Sequence, residues 1–296
     1  MENKRTTEHT QFFSNNESDV ESERIIYTPS DFAKTALFYL QEAGVLQAKR
    51  QHTASRENLN SYLFFIVEEG EGALEYGGEH YDLKKNDCIF INCKNSYAHM
   101  TGEKLWKLRW VHFYGSNMKA VYERYLYRGG RPCFSTNKGQ RYQELLKEIY
   151  DVAASTSYVR DMKINEKLSG LLVLLMEDSW HAGEEGGVGK AMAVQEVKEY
   201  LDENFVEKIT LDELSEKFYI NKYYLLEVFK QQYGMGVNEY LIYMRITKGK
   251  RLLRFTDKTV EEIAYDCGMN SLHYFSRLFK KIEGVTPSEY RRRWTK

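Results

Sequence analysis

The stretch SLHYFSRLFKKIEGVTPSEYRRRW, residues 271–294, joins an amphipathic helix pattern to a break and a basic ending. Apolar residues recur at helical spacing up to Lys280 and Lys281, a glycine interrupts the pattern, and Pro287 stands where a new helix would begin. A looser copy of the same plan occupies residues 210–245. The stretch therefore predicts one of two related helical units.

The two copies align over their whole length, with one residue inserted in the second. Each copy predicts helix, tight turn, helix, which is the plan of a helix-turn-helix unit. Phe275 and Phe279 lie four residues apart and would anchor the second helix of the later copy on a core. The amphipathic stretch 237–255 joins the copies, and a rigid helix there would hold the two second helices about 34 Å apart, one turn of DNA.

Three predicted helix starts carry a capping box, in which a Thr hydroxyl and a Glu three residues later accept each other's backbone N–H groups. The three pairs are Thr210 with Glu213, Thr259 with Glu262, and Thr286 with Glu289. These boxes fix where the predicted helices begin.

The outward side of each second helix is polar or basic, and its first residues would be free to enter a major groove. The predicted DNA-binding residues are Tyr223, Leu226, Glu227 and Lys230 in the first copy and His273, Ser276, Arg277, Lys280 and Lys281 in the second. Arg277 suits guanine, Glu227 would either accept from cytosine or repel phosphate, and Lys280 suits a phosphate. The alternative for all of them is a solvated polar face.

Composition limits the class of protein. The chain has 296 residues and a formal net charge of -1, as expected for a globular protein of two domains. Residues 221–296 nevertheless contain fifteen Lys and Arg against eight Asp and Glu, which indicates a local polyanion-binding face. Without CxxC pairing, the four cysteines are expected to be reduced, buried thiols. We expect a cytoplasmic protein, because the sequence has neither a signal region nor a run of about 18 apolar residues.

The part before the repeat changes character along its length. Its first half shows apolar and polar residues alternating between turn signals, which is typical of a sandwich or barrel. Helical periodicity follows. We expect residues 1–24 to form a flexible arm and the glycine-rich residues 181–192 to form an interdomain linker.

Residues 193–296 closely resemble the DNA-binding domain of the AraC/XylS family of bacterial transcription regulators. The matching residues include Ile263, Ala264, Cys267, Gly268, Tyr274, Phe275, Ser276, Phe279, Lys280, Lys281, Gly284, Thr286, Pro287, Tyr290 and Arg291. In contrast, Gly249 stands where that family favours Ala. The N-terminal region is similar to the family's cupin-like sensor barrel, through IVEEGEGALEYGGEHYDLKKNDCIFIN and RWVHFYG.

This resemblance implies a two-domain α+β fold. A cupin-like β-barrel with dimerisation helices, residues 25–180, would precede an all-α DNA-binding domain with two helix-turn-helix units, residues 193–296. It also implies a transcription regulator, expected to be an activator, that acts as a homodimer on double-stranded DNA under a small effector, most simply a carbohydrate. RNA polymerase is a further expected partner. We expect no enzyme activity, cofactor or metal.

A pocket for the effector is expected on one strand face. Trp106, Leu108, Trp110 and His112 share that face by the two-residue period of a strand, and an indole offers a stacking surface for sugars. The predicted effector-binding residues are Arg50, His52, His99, Trp110 and His112. The alternatives are core packing for the tryptophan and satisfied or surface imidazoles for the histidines.

Two further alternatives stay open. Leu168, Leu171, Leu172 and Leu175 form an apolar helical stripe, which is either core or, as the resemblance favours, a dimer seam. The rival function is a cupin-type metalloenzyme fused to a DNA-binding tail. Against it, the sequence lacks the His-x-His pair that such enzymes carry.

Overall fold

The structure is a computed structural model that describes residues 19–179 and 188–294, without the side chains of 188–193. The chain forms two compact units, which divide after residue 180. No helix among the described residues is long and apolar enough to cross a membrane.

The first unit is built on two antiparallel sheets. The strands are β1 (Val20–Ile26), β2 (Tyr39–Ala48), β3 (Thr53–Arg56), β4 (Tyr62–Glu69), β5 (Glu71–Tyr76), β6 (Glu79–Lys84), β7 (Asp87–Asn92), β8 (Tyr97–Thr101), β9 (Lys107–Tyr114) and β10 (Cys133–Ser135). The larger sheet has the order β1-β2-β9-β4-β7-β10, and the smaller has the order β3-β8-β5-β6. This β-rich unit confirms the predicted cupin-like class.

The larger sheet is covered on both faces. Leu63 and Phe65 of β4 pack toward the smaller sheet, whereas Phe64 and Ile66 pack toward helices. A strand buried on both faces needs apolar residues at every position, which explains why the sequence of β4 shows no alternation.

Four helices belong to the first unit. They are α1 (Asp31–Ala36), α2 (Met118–Tyr127), α3 (Gly139–Ala154) and α4 (Arg160–Asp178). The last two pack with α2 on the outer face of the larger sheet.

The predicted dimer stripe lies in this core. Leu168, Leu171, Leu172 and Leu175 of α4 are buried within a single chain, among residues of α3 and the larger sheet. Burial in one chain leaves these side chains unable to meet a partner, so the expectation of a dimer seam there is corrected to a core role.

The second unit is helical throughout its described part. Its helices are α5 (Val188–Asn204), α6 (Leu211–Lys217), α7 (Lys222–Tyr233), α8 (Val237–Phe255), α9 (Val260–Asp266), α10 (Leu272–Glu283) and α11 (Pro287–Trp294). The pairs α6–α7 and α9–α10 are the two predicted helix-turn-helix units, and α8 joins them, which confirms the expected class of this domain.

Two of the three predicted capping boxes are complete. Thr210 with Glu213 and Thr259 with Glu262 each make both reciprocal bonds. At the third start, Thr286 accepts the backbone N–H of Glu289 at 3.3 Å, but the Glu289 carboxylate pairs with Arg293 at 2.5 Å instead. A cation one turn along the helix thus competes with the box.

The predicted ends of the N-terminal arm and of the interdomain linker differ from the element boundaries in the structure. Residues 20–24, predicted as part of the arm, belong to β1 and pair with β2, while residues 1–18 lie outside the described residues. Helix α5 begins at Val188, inside the predicted linker, of which 181–187 lies outside the described residues.

Candidate DNA interface and effector site

The second helix of each helix-turn-helix unit is held by a cap at each end. The Asn221 side chain accepts from two backbone N–H groups at the start of α7, and Ser271 accepts from one at the start of α10. Gly234 and Gly284 close the two helices with φ of 83° and 76°, a conformation that glycine adopts without strain.

Buried anchors set which side of each helix faces outward. Leu225 and Phe229 of α7 are fully buried, and so are Phe275 and Phe279 of α10. Since the two anchors of each helix lie one turn apart, they fix its inner side, and the opposite side of the helix faces outward.

The predicted DNA-binding residues lie on that outward surface. Tyr223, Glu227 and Lys230 of α7 are exposed, with Leu226 half-buried beside them. On α10 the exposed residues are His273, Arg277, Lys280 and Lys281, with Ser276 half-buried. The structure thus brings each set together on one helix face, and contact with DNA stays a prediction.

The cations of these two faces are not engaged in ion pairs within the described residues. Among the described residues, Lys230, Arg277, Lys280 and Lys281 make no ion pair. Elsewhere in the unit, pairs join Lys222 to Asp212, Lys250 to Glu283 and Lys258 to Asp266, at 2.9, 2.9 and 2.5 Å. A face of unpaired cations in a fold that pairs cations elsewhere suits a polyanion.

Part of the basic C-terminal run has a structural role. Arg291 donates to the backbone carbonyls of Leu253 at 3.2 Å and Lys258 at 2.5 Å, which ties α11 to the end of α8. With Arg293 engaged by Glu289, this run is not a uniform phosphate-binding surface.

In the first unit, histidine side chains lie in the interior between the two sheets. His99 of β8 and His112 of β9 both face this interior, where the His99 ring centre lies 5.9 Å from that of Trp106 and 6.2 Å from that of Phe65. His112 is hydrogen-bonded to Ser61 at 3.0 Å, and His52 to Thr101 at 2.9 Å.

The imidazoles of His99 and His112 are kept neutral. Burial, followed by the charges of Arg56, His52 and His112, lowers the pKa of His99 to about 4. Burial and Arg56 likewise lower the pKa of His112 to about 4. A neutral imidazole both donates and accepts a hydrogen bond, which suits hydroxyl groups.

Two buried polar atoms in this interior have no hydrogen-bond partner among the described residues. They are Nδ1 of His99 and Nε1 of Trp106. Because an unsatisfied buried polar atom costs free energy, such atoms mark where a ligand group or water would be stabilised.

Of the remaining predicted effector residues, Trp110 is buried beside β2 and Arg50 forms an ion pair. Trp110 is only 7% exposed and packs against Gly44, with the Arg24 guanidinium 5.5 Å from its ring centre. Arg50 forms an ion pair with Asp19, and its carbonyl oxygen lies 3.3 Å from Nδ1 of His52. Its place in the pocket stays a prediction.

A further candidate surface, which the sequence did not indicate, lies on the smaller sheet. A groove of about 930 Å³ opens at the end of the smaller sheet, lined in part by Arg56, Tyr76, Asn95 and Tyr97. Arg56 pairs in register with Tyr97, whose ring belongs to the core between the sheets. The alternation of Tyr97 with His99 was the signal that could have revealed this side.

The described residues contain no group of three or more His, Cys, Asp or Glu that could hold a metal ion. Cys88, Cys93 and Cys267 are buried and Cys133 partly so, all as free thiols. Burial raises the pKa of Cys93 to about 12 and that of Cys267 to about 11. These thiols are suited to packing rather than to reaction.

Comparisons with known proteins cover both units. The AraC-like ligand binding domain matches residues 39–172, and a helix-turn-helix domain matches residues 214–293. The crystal structure of the C-terminal domain of the two-component response regulator yesN from Fusobacterium nucleatum is 34% identical, with a TM-score of 0.33, over 34% of this chain and 98% of that one.

Relatives match over one or both units. The uncharacterized HTH-type transcriptional regulator YijO of Escherichia coli is 38% identical over 98 residues, 33% of this chain and 35% of that protein. The chain thus spans about a third of that relative. The HTH-type transcriptional activator RhaR of Pectobacterium carotovorum is 24% identical over 271 residues, 88% of this chain and 95% of that protein. With an AraC-like ligand binding domain followed by a helix-turn-helix domain, the chain belongs to the AraC family of transcription regulators.

Proposed function

We propose that this protein is a sequence-specific DNA-binding transcription regulator controlled by a small effector bound between the two sheets of its first unit. The observation that carries the proposal is the pair of capped helices, α7 and α10, whose buried anchors turn unpaired polar and basic residues outward. This is the arrangement that a helix needs to enter a major groove.

The test is a binding-site selection with the full chain and two variants of α10, at two salt concentrations. Arg277→Ala should cost about 1–3 kcal/mol on the selected site and relax one base position. Lys280→Ala should weaken binding to all sequences evenly and lower the salt slope by about one. Failure of the parent chain to select any sequence would reject the proposal.

A carbohydrate is the proposed effector class. Neutral His99 and His112, an unpartnered indole Nε1 on Trp106 and the polar groove at Arg56 offer donors and acceptors to a hydroxyl-rich ligand beside aromatic rings. A thermal-shift screen of the full chain against sugars tests this. A saturating ligand at 100 times its dissociation constant adds roughly 2.7 kcal/mol, and the loss of that shift in His99→Phe would assign the site.

Activation is proposed from the full-length similarity to a protein named as an activator. Recruitment of RNA polymerase would be its simplest route. A transcription assay with purified polymerase, with and without the regulator, measures the sign directly, and reduced transcript in its presence would make it a repressor.

A homodimer is proposed through the outward side of α4. Met162 and Val173 are 50% and 56% exposed and lie about three turns apart on the same side of the helix. Exposed apolar residues in such a stripe are what a partner helix would cover.

The rival function, a metalloenzyme, draws no support from the described residues, which offer no cluster of metal ligands.

A further inference from the structure

We propose that α7 and α10 contribute charge to DNA binding in opposite ways: Lys280 and Lys281 of α10 attract phosphates at every sequence, and Glu227 of α7 rejects sites that offer no cytosine amino group to donate to it. This inference rests on the proposed DNA binding and assigns a division of roles within it.

The first observation is the difference in charge between aligned positions. The outward positions of α7 are Tyr223, Glu227, Lys230 and Gln231, and those of α10 are His273, Arg277, Lys280 and Lys281. Over these positions, the Lys, Arg and Glu side chains give the α7 face no net charge and the α10 face three positive charges. Only one position, Lys230 against Lys280, keeps the same residue.

The second observation is that no cation pairs with Glu227 among the described residues. It is exposed in the middle of α7, and among the described residues it makes no ion pair, although Lys230 lies one turn away on the same helix. Gln231 Nε2 donates to one of its carboxylate oxygens at 3.3 Å, which directs the carboxylate along the helix.

The third observation is that the other cation of α7 is already engaged. Lys222 pairs with Asp212 of α6 at 2.9 Å. Its charge is therefore balanced by Asp212, and Lys222 does little to offset the negative charge of Glu227 near DNA.

An exposed carboxylate on a groove-facing helix has a defined consequence. DNA carries one negative charge per about 1.7 Å of its axis, so Glu227 is repelled at most sequences. Cytosine presents an N4 amino donor in the major groove, and acceptance from it offsets that repulsion. Glu227 thus penalises sites without a suitably placed cytosine, while Lys280 and Lys281 attract the phosphates of every site.

Two matched variants separate the roles. Glu227→Gln removes the charge from α7 and keeps the side-chain shape. Lys281→Gln places on α10 the residue that α7 carries at the aligned position. Both residues are exposed, so both variants should retain the fold, which the unfolding temperature of the full chain checks.

The experiment is a binding-site selection with the parent and both variants, with affinities for selected and random DNA at two salt concentrations. We expect Glu227→Gln to bind random DNA more tightly and to lose a preference for cytosine at one position, roughly tenfold. We expect Lys281→Gln to keep that preference, to bind all DNA more weakly and to show a salt slope smaller by about one.

The outcomes are distinguishable. If the parent selects a sequence and Glu227→Gln selects the same one with unchanged affinities, this inference is wrong and the proposed function stands. If Lys281→Gln alters one base preference and not the salt slope, the assigned roles are wrong. A parent chain that selects no sequence would reject both the inference and the proposed function.

Discussion

At the scale of single residues, the two helical glycines Gly249 and Gly170 show why propensity alone misjudges a position. A Cβ atom at Gly249 in α8 would lie 2.9 Å from Cζ of Phe275, which is fully buried and has no room to move. At Gly170 in α4, the nearest atoms to such a Cβ would be Leu145 methyl groups at 3.9 Å. Helix propensity alone predicts that glycine at either position destabilises its helix by about 1 kcal/mol relative to Ala.

We therefore expect opposite effects of the same substitution. Gly170→Ala should stabilise its unit by about 0.5–1 kcal/mol, whereas Gly249→Ala should destabilise by about 1–3 kcal/mol through overpacking. Chemical denaturation of the full-length variants measures both. In a Phe275→Leu background, Gly249→Ala should lose most of its penalty, and an unchanged penalty there would mean that the ring is not the cause.

The histidines of the first unit predict a pH dependence at the same scale. With a folded pKa of about 4 against the ordinary value of 6.5, His99 and His112 bind fewer protons in the folded chain than in the unfolded one between those pH values. Stability of this unit should therefore fall as the pH drops from 6.5 toward 4, by on the order of 3 kcal/mol for each histidine. Thermal unfolding across this range tests it, and a double His→Gln variant with an equally steep profile would contradict the assignment.

At the scale of elements, α4 illustrates what an apolar stripe does and does not reveal. The spacing of its leucines predicts the helix and its buried side, but a stripe has the same pattern whether it meets its own chain or a partner. Only the tertiary structure shows that α3 and the larger sheet cover it. The third capping box failed for a similar reason, because a competing Arg293 lies outside the motif.

A matched pair of variants on α4 tests this assignment. Leu168→Glu places a charge in the core and should abolish cooperative unfolding of the first unit, since an unpaired buried charge costs several kcal/mol. Val173→Glu lies on the exposed side and should leave the fold intact while giving a monomer in sedimentation. A folded, monomeric Leu168→Glu protein would restore the leucines to the interface.

At the scale of the whole molecule, the repeat made the second unit predictable, because two copies of one pattern constrain each other residue by residue. The effector site was only partly predictable. Strand alternation places Trp106 and His112 on one face, whereas Arg56 and Tyr97 come from other strands, and their approach depends on sheet order, which no local pattern encodes.

The central claim is that α7 and α10 bind DNA together, held apart by α8. A 19-residue helix is about 28 Å long, close to the rise of one turn of DNA. The most direct test is a hydroxyl-radical and methylation footprint of the full chain on its selected site. We predict two protected major-groove segments on one face of the DNA, about one turn apart, with the Arg277→Ala variant losing only one of them. A single protected segment, or protection unrelated to the groove, would contradict the account.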